Sequence, residues 1–277
     1  MAEAAVADRD IEFSAGDFER VRSLIRAKAG IDLNPGKQNM VYSRLSRRLR
    51  ERGYRAFRPY LDSLQSASES EWQEFINCLT TNLTSFFREA HHFPVLAAHL
   101  RKRQGAAQRI WCCAASTGEE PYTLAMTALD TLGPRPQVAI DASDIDTRVL
   151  ETARIGAYAA ESVSSLEPAL LHRHFLKGSG ANAGRVRVKP ALQALVSFRQ
   201  FNLLSDQYRG DGYGAIFCRN VMIYFDRPTQ RQVLQKLHAC LRPDGLLFVG
   251  HSENFTEHRD LFTLVGKTVY APAGRRA

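Results

Sequence analysis

The sequence predicts an α/β protein: a mostly parallel sheet with helices on both faces, preceded by a small all-helical domain and interrupted by an antiparallel β-hairpin. Three observations carry this reading. From residue 108 onward, short apolar runs alternate with stretches of helical periodicity, the pattern of a parallel sheet. Residues 10–80 keep helical spacing and hold no strand-like run. The segment Lys177-Gly178-Ser179-Gly180-Ala181-Asn182-Ala183-Gly184 breaks the alternation, and the pieces RVRVKP and ALVSFRQF that follow alternate in part like antiparallel strands.

In the helical part, Phe18, Val21, Leu24 and Ile25 fall at helical spacing, and Asn34-Pro35-Gly36 marks a turn. Residues 37–52 place Val41, Leu45 and Leu49 four apart, so they share one apolar stripe. Arg44, Arg47, Arg48 and Arg50 lie off that stripe and are expected to face outward. Helices over 57–65 and 70–80 complete a bundle spanning 10–80. Residues 81–105 read as a connector, made sticky by Phe86, Phe87, His91, His92 and Phe93. Residues 106–277 form the sheet domain. RIWCCAAS, QVAIDASD, YGAIFCRN and GLLFVGHS read as strands, with helices expected over 119–132, 146–155 and 227–241. The hairpin insert is placed at about 176–199. Ligands of such sheets bind at the carboxyl ends of the strands, where strand order reverses.

Composition bounds the function. The chain has 277 residues, 44% of them hydrophobic, enough for one medium and one small domain and too many for a disordered chain. No stretch approaches the roughly 20 apolar residues that cross a bilayer. The first residues lack the apolar core of a secretory signal, so a cytoplasmic location is expected. The five cysteines are odd in number and have no metal-ligand spacing, which predicts reduced core thiols and no metal. The net charge of +8 is concentrated: Arg20 to Arg58 holds twelve Lys or Arg against Asp32 and Glu51, a local excess of +10. Such a block attracts an anionic partner, a nucleic acid being one alternative.

Four segments could carry chemistry. Ala114-Ala115-Ser116-Thr117-Gly118-Glu119-Glu120 follows a buried strand and opens a helix. Its small residues admit close backbone approach, but two glutamates would repel phosphate. A cationic ligand such as the sulfonium of S-adenosylmethionine suits them better. The plain alternative is a strand-to-helix turn with acids at the helix start. Asp144 ends the next strand, 26 residues beyond Gly118, where an acid commonly binds ribose hydroxyls; Asp146 is placed as the cap of the following helix. Phe217 to Phe225 lies at a third strand end. Thr81 to Glu89 sets Arg88 beside an aromatic pair.

Together, TNLTSFFREAHHF, AASTGEEPYTLAM, ASDIDTRVL, FCRNVMIYFD and RPDGLLFVGHSENF closely resemble the signatures of the CheR family of chemotaxis receptor methyltransferases, in order and spacing, over about residues 10–271. The resemblance implies a Rossmann-like class I S-adenosylmethionine-dependent methyltransferase that esterifies glutamate side chains of chemoreceptors and releases S-adenosylhomocysteine. It implies that Asn82, Thr84 and Arg88 line the cofactor site from the connector. Glu119 would contact the methionine part, Asp144 the ribose, and Asn202 and Leu203 the adenine. Arg219 and Asn220 would contact the cofactor, and Tyr224 would stand near the transferred methyl. Arg88 and Tyr224 are the expected catalytic pair, Arg88 orienting the incoming carboxylate. The face bearing Arg44, Arg47, Arg48 and Arg50 would dock the acidic receptor. The hairpin with Gly178, Gly180 and Gly184 resembles a subdomain that in some members holds a C-terminal receptor peptide. A monomer is expected. The competing readings are a nucleic-acid methyltransferase and a catalytically silent paralogue that binds the cofactor.

Overall fold

A computed structural model describes residues 10–208 and 212–274. The chain divides into two compact units. One is the segment up to Thr81 together with Tyr224–Asp226; the other comprises Asn82–Ile223 and the residues from Arg227 on.

The smaller unit holds α1 (Ala15–Ala29), α2 (Gln38–Glu51), α3 (Phe57–Ser63) and α4 (Glu69–Leu79). A capping box starts α1: the Ser14 hydroxyl accepts from the Asp17 N–H, while the Asp17 carboxylate accepts from the Ser14 N–H. Gly30, at φ 72°, ends it. Phe18, Val21, Ile25, Val41, Leu45, Leu49, Phe57 and Phe75 are buried, so the expected apolar stripes form the core. Each such side chain contributes about 1.5–3 kcal/mol by leaving water.

The expectation that four arginines of α2 face outward requires correction. Arg44 donates to the carbonyls of Leu79 and Thr80, at 3.2 and 2.6 Å, and so caps the end of α4. The Arg48 side chain is 18% exposed and pairs with buried Glu71. Arg50 is exposed but bidentate to Asp10, at 2.7 and 2.8 Å. Arg47 stands 85% exposed beside Glu51. The block also loses charge to acids outside it, since Arg20 meets Asp62, Arg22 meets Glu19, and Arg26 meets Asp226. Helical periodicity tells which residues leave the core stripe; it does not tell which acids fold back onto them.

The larger unit begins with α5 (His92–Arg101), a helix inside what reads from sequence as a connector. There follow β1 (Gln108–Cys112), α6 (Glu119–Leu132), β2 (Val138–Asp144), α7 (Thr147–Ile155), β3 (Ala157–Ala159), α8 (Pro168–His174), β4 (Phe175–Lys177), β5 (Arg185–Val188), α9 (Pro190–Gln193), β6 (Val196–Gln200), β7 (Tyr213–Cys218), α10 (Arg227–Cys240), β8 (Leu241–Val249), β9 (Phe262–Gly266) and β10 (Val269–Pro272). The main sheet runs β6-β2-β1-β7-β8-β10-β9. Its first five strands are parallel, and β10 is antiparallel to both neighbours. From β1 the chain moves outward to β2 and β6, then returns to β7 on the other side. The order therefore reverses between β1 and β7, whose carboxyl ends flank the crevice where such sheets bind ligands. Every residue of β7 is buried, as a strand covered on both faces requires.

A second sheet, β3-β5-β4, is antiparallel. It differs from the hairpin read at 176–199. The run at 194–201 is not a partner of β5; it joins the main sheet as β6, in parallel register with β2 from Ile140 opposite Val196 to Asp144 opposite Gln200. Local alternation cannot choose between a hairpin partner and a distant one. The glycines of the turn are shaped by geometry: a Cβ on Gly178 would lie 2.0 Å from the Asn182 carbonyl oxygen, and Gly180 and Gly184 have φ of 55° and 79°. No helix among the described residues is long and apolar enough to cross a membrane. None of the five cysteines, all among the described residues, forms a disulfide, and all but Cys78 are buried.

Candidate active site

The carboxyl edge of the main sheet gathers most of the expected residues. After β1 the backbone turns through Ser116, at φ 47°, and Gly118, at φ 100°, before α6 begins. Gly118 admits no side chain, because a Cβ there would lie 2.8 Å from the Tyr158 hydroxyl and 2.9 Å from the Ala153 methyl. The Tyr158 hydroxyl donates to the Thr117 carbonyl at 2.9 Å and fixes this turn from below.

The two glutamates that open α6 have different surroundings. Glu120 is taken by Arg219, with Nη1 and Oε2 2.5 Å apart, and also accepts the Cys112 thiol. Glu119 is buried, accepts the Thr117 hydroxyl at 2.6 Å, and has no ion-pair partner among the described residues. Burial pushes its pKa up.

Asp144, at the end of β2, is buried too. One carboxylate oxygen accepts from the Ser116 N–H at 2.8 Å and the other from the Asp146 N–H at 3.0 Å. Burial outweighs these bonds and pushes its pKa up to about 6. A carboxylate has about four acceptor sites, so capacity remains for a ligand hydroxyl. Asp146 caps α7 as expected, accepting from the Arg148 and Val149 N–H groups. It also accepts from Asn82 Nδ2 at 2.8 Å, while the Asn82 carbonyl accepts from the Ser116 hydroxyl at 3.0 Å. Asn82 therefore ties the start of the segment before α5 to the sheet edge.

Arg88 lies between Phe87 and Glu89, both left-handed, with φ of 53° and 55°. Its guanidinium is half-buried and donates to the Leu83 carbonyl at 2.8 Å. Thr84 is half-buried nearby in sequence. The backbone of Arg88 is held from β7: Arg219, whose side chain is 1% exposed, donates to the Arg88 carbonyl at 2.6 Å and approaches Glu89 at 3.3 Å. Arg219 thus joins the edge as a buried clamp on Glu120, Glu89 and the Arg88 carbonyl. Asn220 follows at φ 56°, its Nδ2 3.4 Å from Glu89 and its N–H bonded to Glu253. Beyond β6, the Asn202 N–H donates to Asp206 and its side-chain oxygen accepts from the Leu204 N–H. Leu203 is buried, and its carbonyl accepts the Tyr208 hydroxyl. Tyr224 falls in the helical unit, where its carbonyl accepts the Asp32 N–H at 2.7 Å.

Three residues here carry no site assignment from sequence although they lie inside the quoted motifs: Glu89, Glu120 and Glu253. Nothing local says which acid a buried arginine or loop will take. Glu89 accepts from the backbone N–H and Nδ1 of His251, at 3.2 and 3.0 Å, and its pKa is held near 2, chiefly by that histidine and Arg219 against burial. Glu89, His91 and His92 place one ligand atom each within 4.8 Å of one another. The Arg219 guanidinium already occupies Glu89 and opposes a second cation there. His92, buried and beside Arg219, has its pKa lowered to about 3.

The donor set fits S-adenosylmethionine. Gly118 keeps the turn after β1 tight against Tyr158 and Ala153, Glu119 offers a buried acid with no ion-pair partner among the described residues, and Asp144 offers a hydroxyl acceptor.

Comparison with known proteins agrees. The family profile described as the all-alpha domain of CheR methyltransferase matches residues 16–80, and that of the CheR methyltransferase SAM binding domain matches residues 82–271. The chain is 54% identical over 264 residues to a chemotaxis protein methyltransferase of Escherichia coli, covering 94% of this chain and 92% of the relative. It is 52% identical to that of Salmonella typhimurium, covering 94% and 91%. To chemotaxis protein methyltransferase 2 of Pseudomonas aeruginosa it is 49% identical over 270 residues, 96% of each chain. With the two profiles together matching residues 16–80 and 82–271 and about half the positions shared with such relatives, the chain belongs to the CheR family of methyltransferases.

Proposed function

We propose that this chain transfers the methyl group of S-adenosylmethionine to glutamate side chains of chemoreceptors, giving methyl esters and S-adenosylhomocysteine, and that it does so at the carboxyl edge between β1 and β7. The observation that carries the placement is the pair of buried acids, Glu119 and Asp144, around a turn that excludes a side chain at Gly118. When bound there, the cofactor supplies an electrophilic methyl on a sulfonium.

The protein's own residues bind and orient. Glu119 takes the cationic methionine end, and Asp144 accepts the ribose hydroxyls. Asn82, Thr84, Arg219 and Asn220 shape the walls, and Asn202 and Leu203 stand by the adenine. A glutamate substrate, with a pKa of about 4.3, is already ionised near neutrality, so no general base is needed. What remains is to hold the carboxylate in line with the methyl and keep water away. Arg88 orients that carboxylate, and its left-handed flanks fix the guanidinium's origin. Tyr224 carries the second catalytic assignment, taken from the family pattern. Its hydroxyl is tested by Tyr224→Phe.

Arg47, the most exposed cation of α2, is the one left to meet an acidic receptor, with Arg55 and Arg58 exposed further along the chain, while Arg50 would first have to release Asp10. The second sheet, β3-β5-β4, would take a receptor tethering peptide. The enzyme acts as a cytoplasmic monomer. The nucleic-acid alternative loses ground because the profiles matched over residues 16–80 and 82–271 are those of CheR methyltransferases, and the relatives of about half identity are chemotaxis protein methyltransferases. The decisive experiment incubates the enzyme with methyl-labelled S-adenosylmethionine and receptor cytoplasmic fragments. Base-labile label on glutamate is expected; base-stable label, or label in nucleic acid, overturns the reading.

A further inference from the structure

We infer that Glu253 is a positioning residue for cofactor binding, whose buried carboxylate holds in shape the loop after β7 that carries Asn220. The inference rests on the reading above that Asn220 contacts the cofactor.

Glu253 is 4% exposed and accepts four backbone N–H bonds. Its Oε2 takes the Asn220 N–H at 3.0 Å and the Gly250 N–H at 2.5 Å; its Oε1 takes the Val221 and Met222 N–H groups at 3.0 and 2.8 Å. Three of these donors are consecutive and point inward where β7 has ended, so no strand partner can satisfy them. Successive N–H groups converging in this way form a concavity for an anion. Here the chain supplies the anion itself, from the turn after β8. The same loop has Asn220 left-handed, at φ 56°, a conformation that costs a non-glycine residue free energy and needs support.

The side chain of Asn220 is confined from the other side. A Cβ on Gly250 would lie 2.3 Å from Asn220 Nδ2 and 3.0 Å from both its Cγ and its backbone nitrogen. Glu253 fixes the backbone of Asn220, Gly250 leaves room for its amide, and Glu89 stands 3.4 Å from Nδ2. Burial raises the Glu253 pKa while the four N–H bonds lower it, so the fold keeps a carboxyl group here at some cost. Glutamine is a poor replacement despite its equal size. It has one acceptor oxygen, and its NH2 would face two N–H donors.

A double-mutant cycle reads the effect. Affinity for S-adenosylhomocysteine is measured by calorimetry for the parent, Glu253→Gln, Asn220→Ala and the double variant, with thermal unfolding of each and KM and kcat for methyl transfer. Each single change is expected to weaken binding by about tenfold or more, and to raise KM more than it lowers kcat. The double variant is expected to bind about as weakly as Asn220→Ala alone, because groups acting through one another are not additive. Glu253→Gln binding like the parent, or the two losses adding in full, overturns the inference and leaves the role of Asn220 standing. Asn220→Ala binding like the parent removes the role of Asn220 and the inference with it. Should Glu253→Gln fail to fold, Gly250→Ala takes its place in the cycle, since its Cβ crowds the Asn220 amide and the Asn220 backbone nitrogen that the carboxylate holds. In that case, unchanged affinity for Gly250→Ala is the overturning result.

Discussion

Glu119 and Glu120 are adjacent in the first turn of α6, yet removing their charges should have opposite signatures. Glu120 lies 2.5 Å from Arg219, whose side chain is 1% exposed. Glu120→Gln leaves that guanidinium with Glu89 at 3.3 Å and the Arg88 carbonyl. Breaking a buried pair costs about 3–5 kcal/mol when nothing replaces the lost partner. With Glu89 remaining, the loss should sit near ~3 kcal/mol. At roughly 2–4 °C per kcal/mol for a domain of this size, Tm should fall by about 6–12 °C. Glu119 has no cation to orphan. Its pKa is raised by burial, so the folded state carries a penalty that appears as pH rises from the unfolded value through the folded one. Glu119→Gln removes that penalty and keeps an acceptor for the Thr117 hydroxyl. It gives up about 0.3–1 kcal/mol of favourable charge at the helix start. The net change in stability should stay within about 1 kcal/mol. Binding of S-adenosylhomocysteine should nonetheless weaken by about tenfold or more, since a hydrogen bond to a charged group is worth roughly 1.5–3 kcal/mol. Thermal unfolding at pH 7.5 and calorimetry with S-adenosylhomocysteine separate the two variants. If Glu119→Gln unfolds as early as Glu120→Gln, or Glu120→Gln leaves Tm unchanged, the division of roles between the two acids is wrong.

Arg88→Ala loses one hydrogen bond, to the Leu83 carbonyl, so its stability cost should be about 1 kcal/mol while kcat/KM falls by about 10–100-fold; turnover within threefold of the parent in the labelled-methyl assay would remove Arg88 from the mechanism. In the helical unit, Arg48→Ala leaves buried Glu71 with only Arg52 at 3.5 Å and the Tyr60 hydroxyl and should lower Tm, whereas Arg47→Glu should leave Tm unchanged and raise KM for receptor at low salt only. A KM for receptor independent of salt in Arg47→Glu would refute docking through this face. Binding of S-adenosylhomocysteine should weaken as pH falls through about 6, where Asp144 takes up its proton and loses acceptor strength, and Asp144→Asn should flatten that step; constant affinity from pH 8 to 5 in the parent would exclude Asp144 as the ribose acceptor.

Much of the fold was legible because its signals are local. The helix expected over 119–132 is α6 to the residue, and Asp146 caps α7, since apolar periodicity and cap chemistry act within one turn. The run at 194–201 was misassigned because its true partner, β2, lies more than fifty residues away, and alternation alone does not name a partner. The arginines of α2 show the same limit. That they leave the apolar stripe follows from spacing; that Arg48 turns inward follows from Glu71, 23 residues on. At the candidate site, Asp144 stands out as an acid at a strand end and Glu119 as an acid opening the helix that follows a buried strand. Glu89 and Glu253 do not, because what marks them is a count of N–H and cationic donors assembled from distant segments.

The backbone marks the site independently of any side-chain assignment. Among the described residues, the non-glycine positions with positive φ are Phe87, Glu89, Ser116, Asn220 and Thr268. Each costs on the order of 1–2 kcal/mol relative to the right-handed conformation, so chance does not gather them. Four of the five lie in the turns that carry Arg88, Asp144's partner Ser116, and Asn220 itself. The fifth, Thr268, meets the imidazoles of His91 and His92, a few residues beyond Arg88. Glycine would relieve the strain at every one of them but would free the turn. A non-glycine residue held left-handed by buried bonds, as Asn220 is by Glu253, has its side chain aimed before any ligand arrives. On the reading that Asn220 contacts the cofactor, part of the ordering cost of binding is met during folding, at the expense of the empty enzyme's stability.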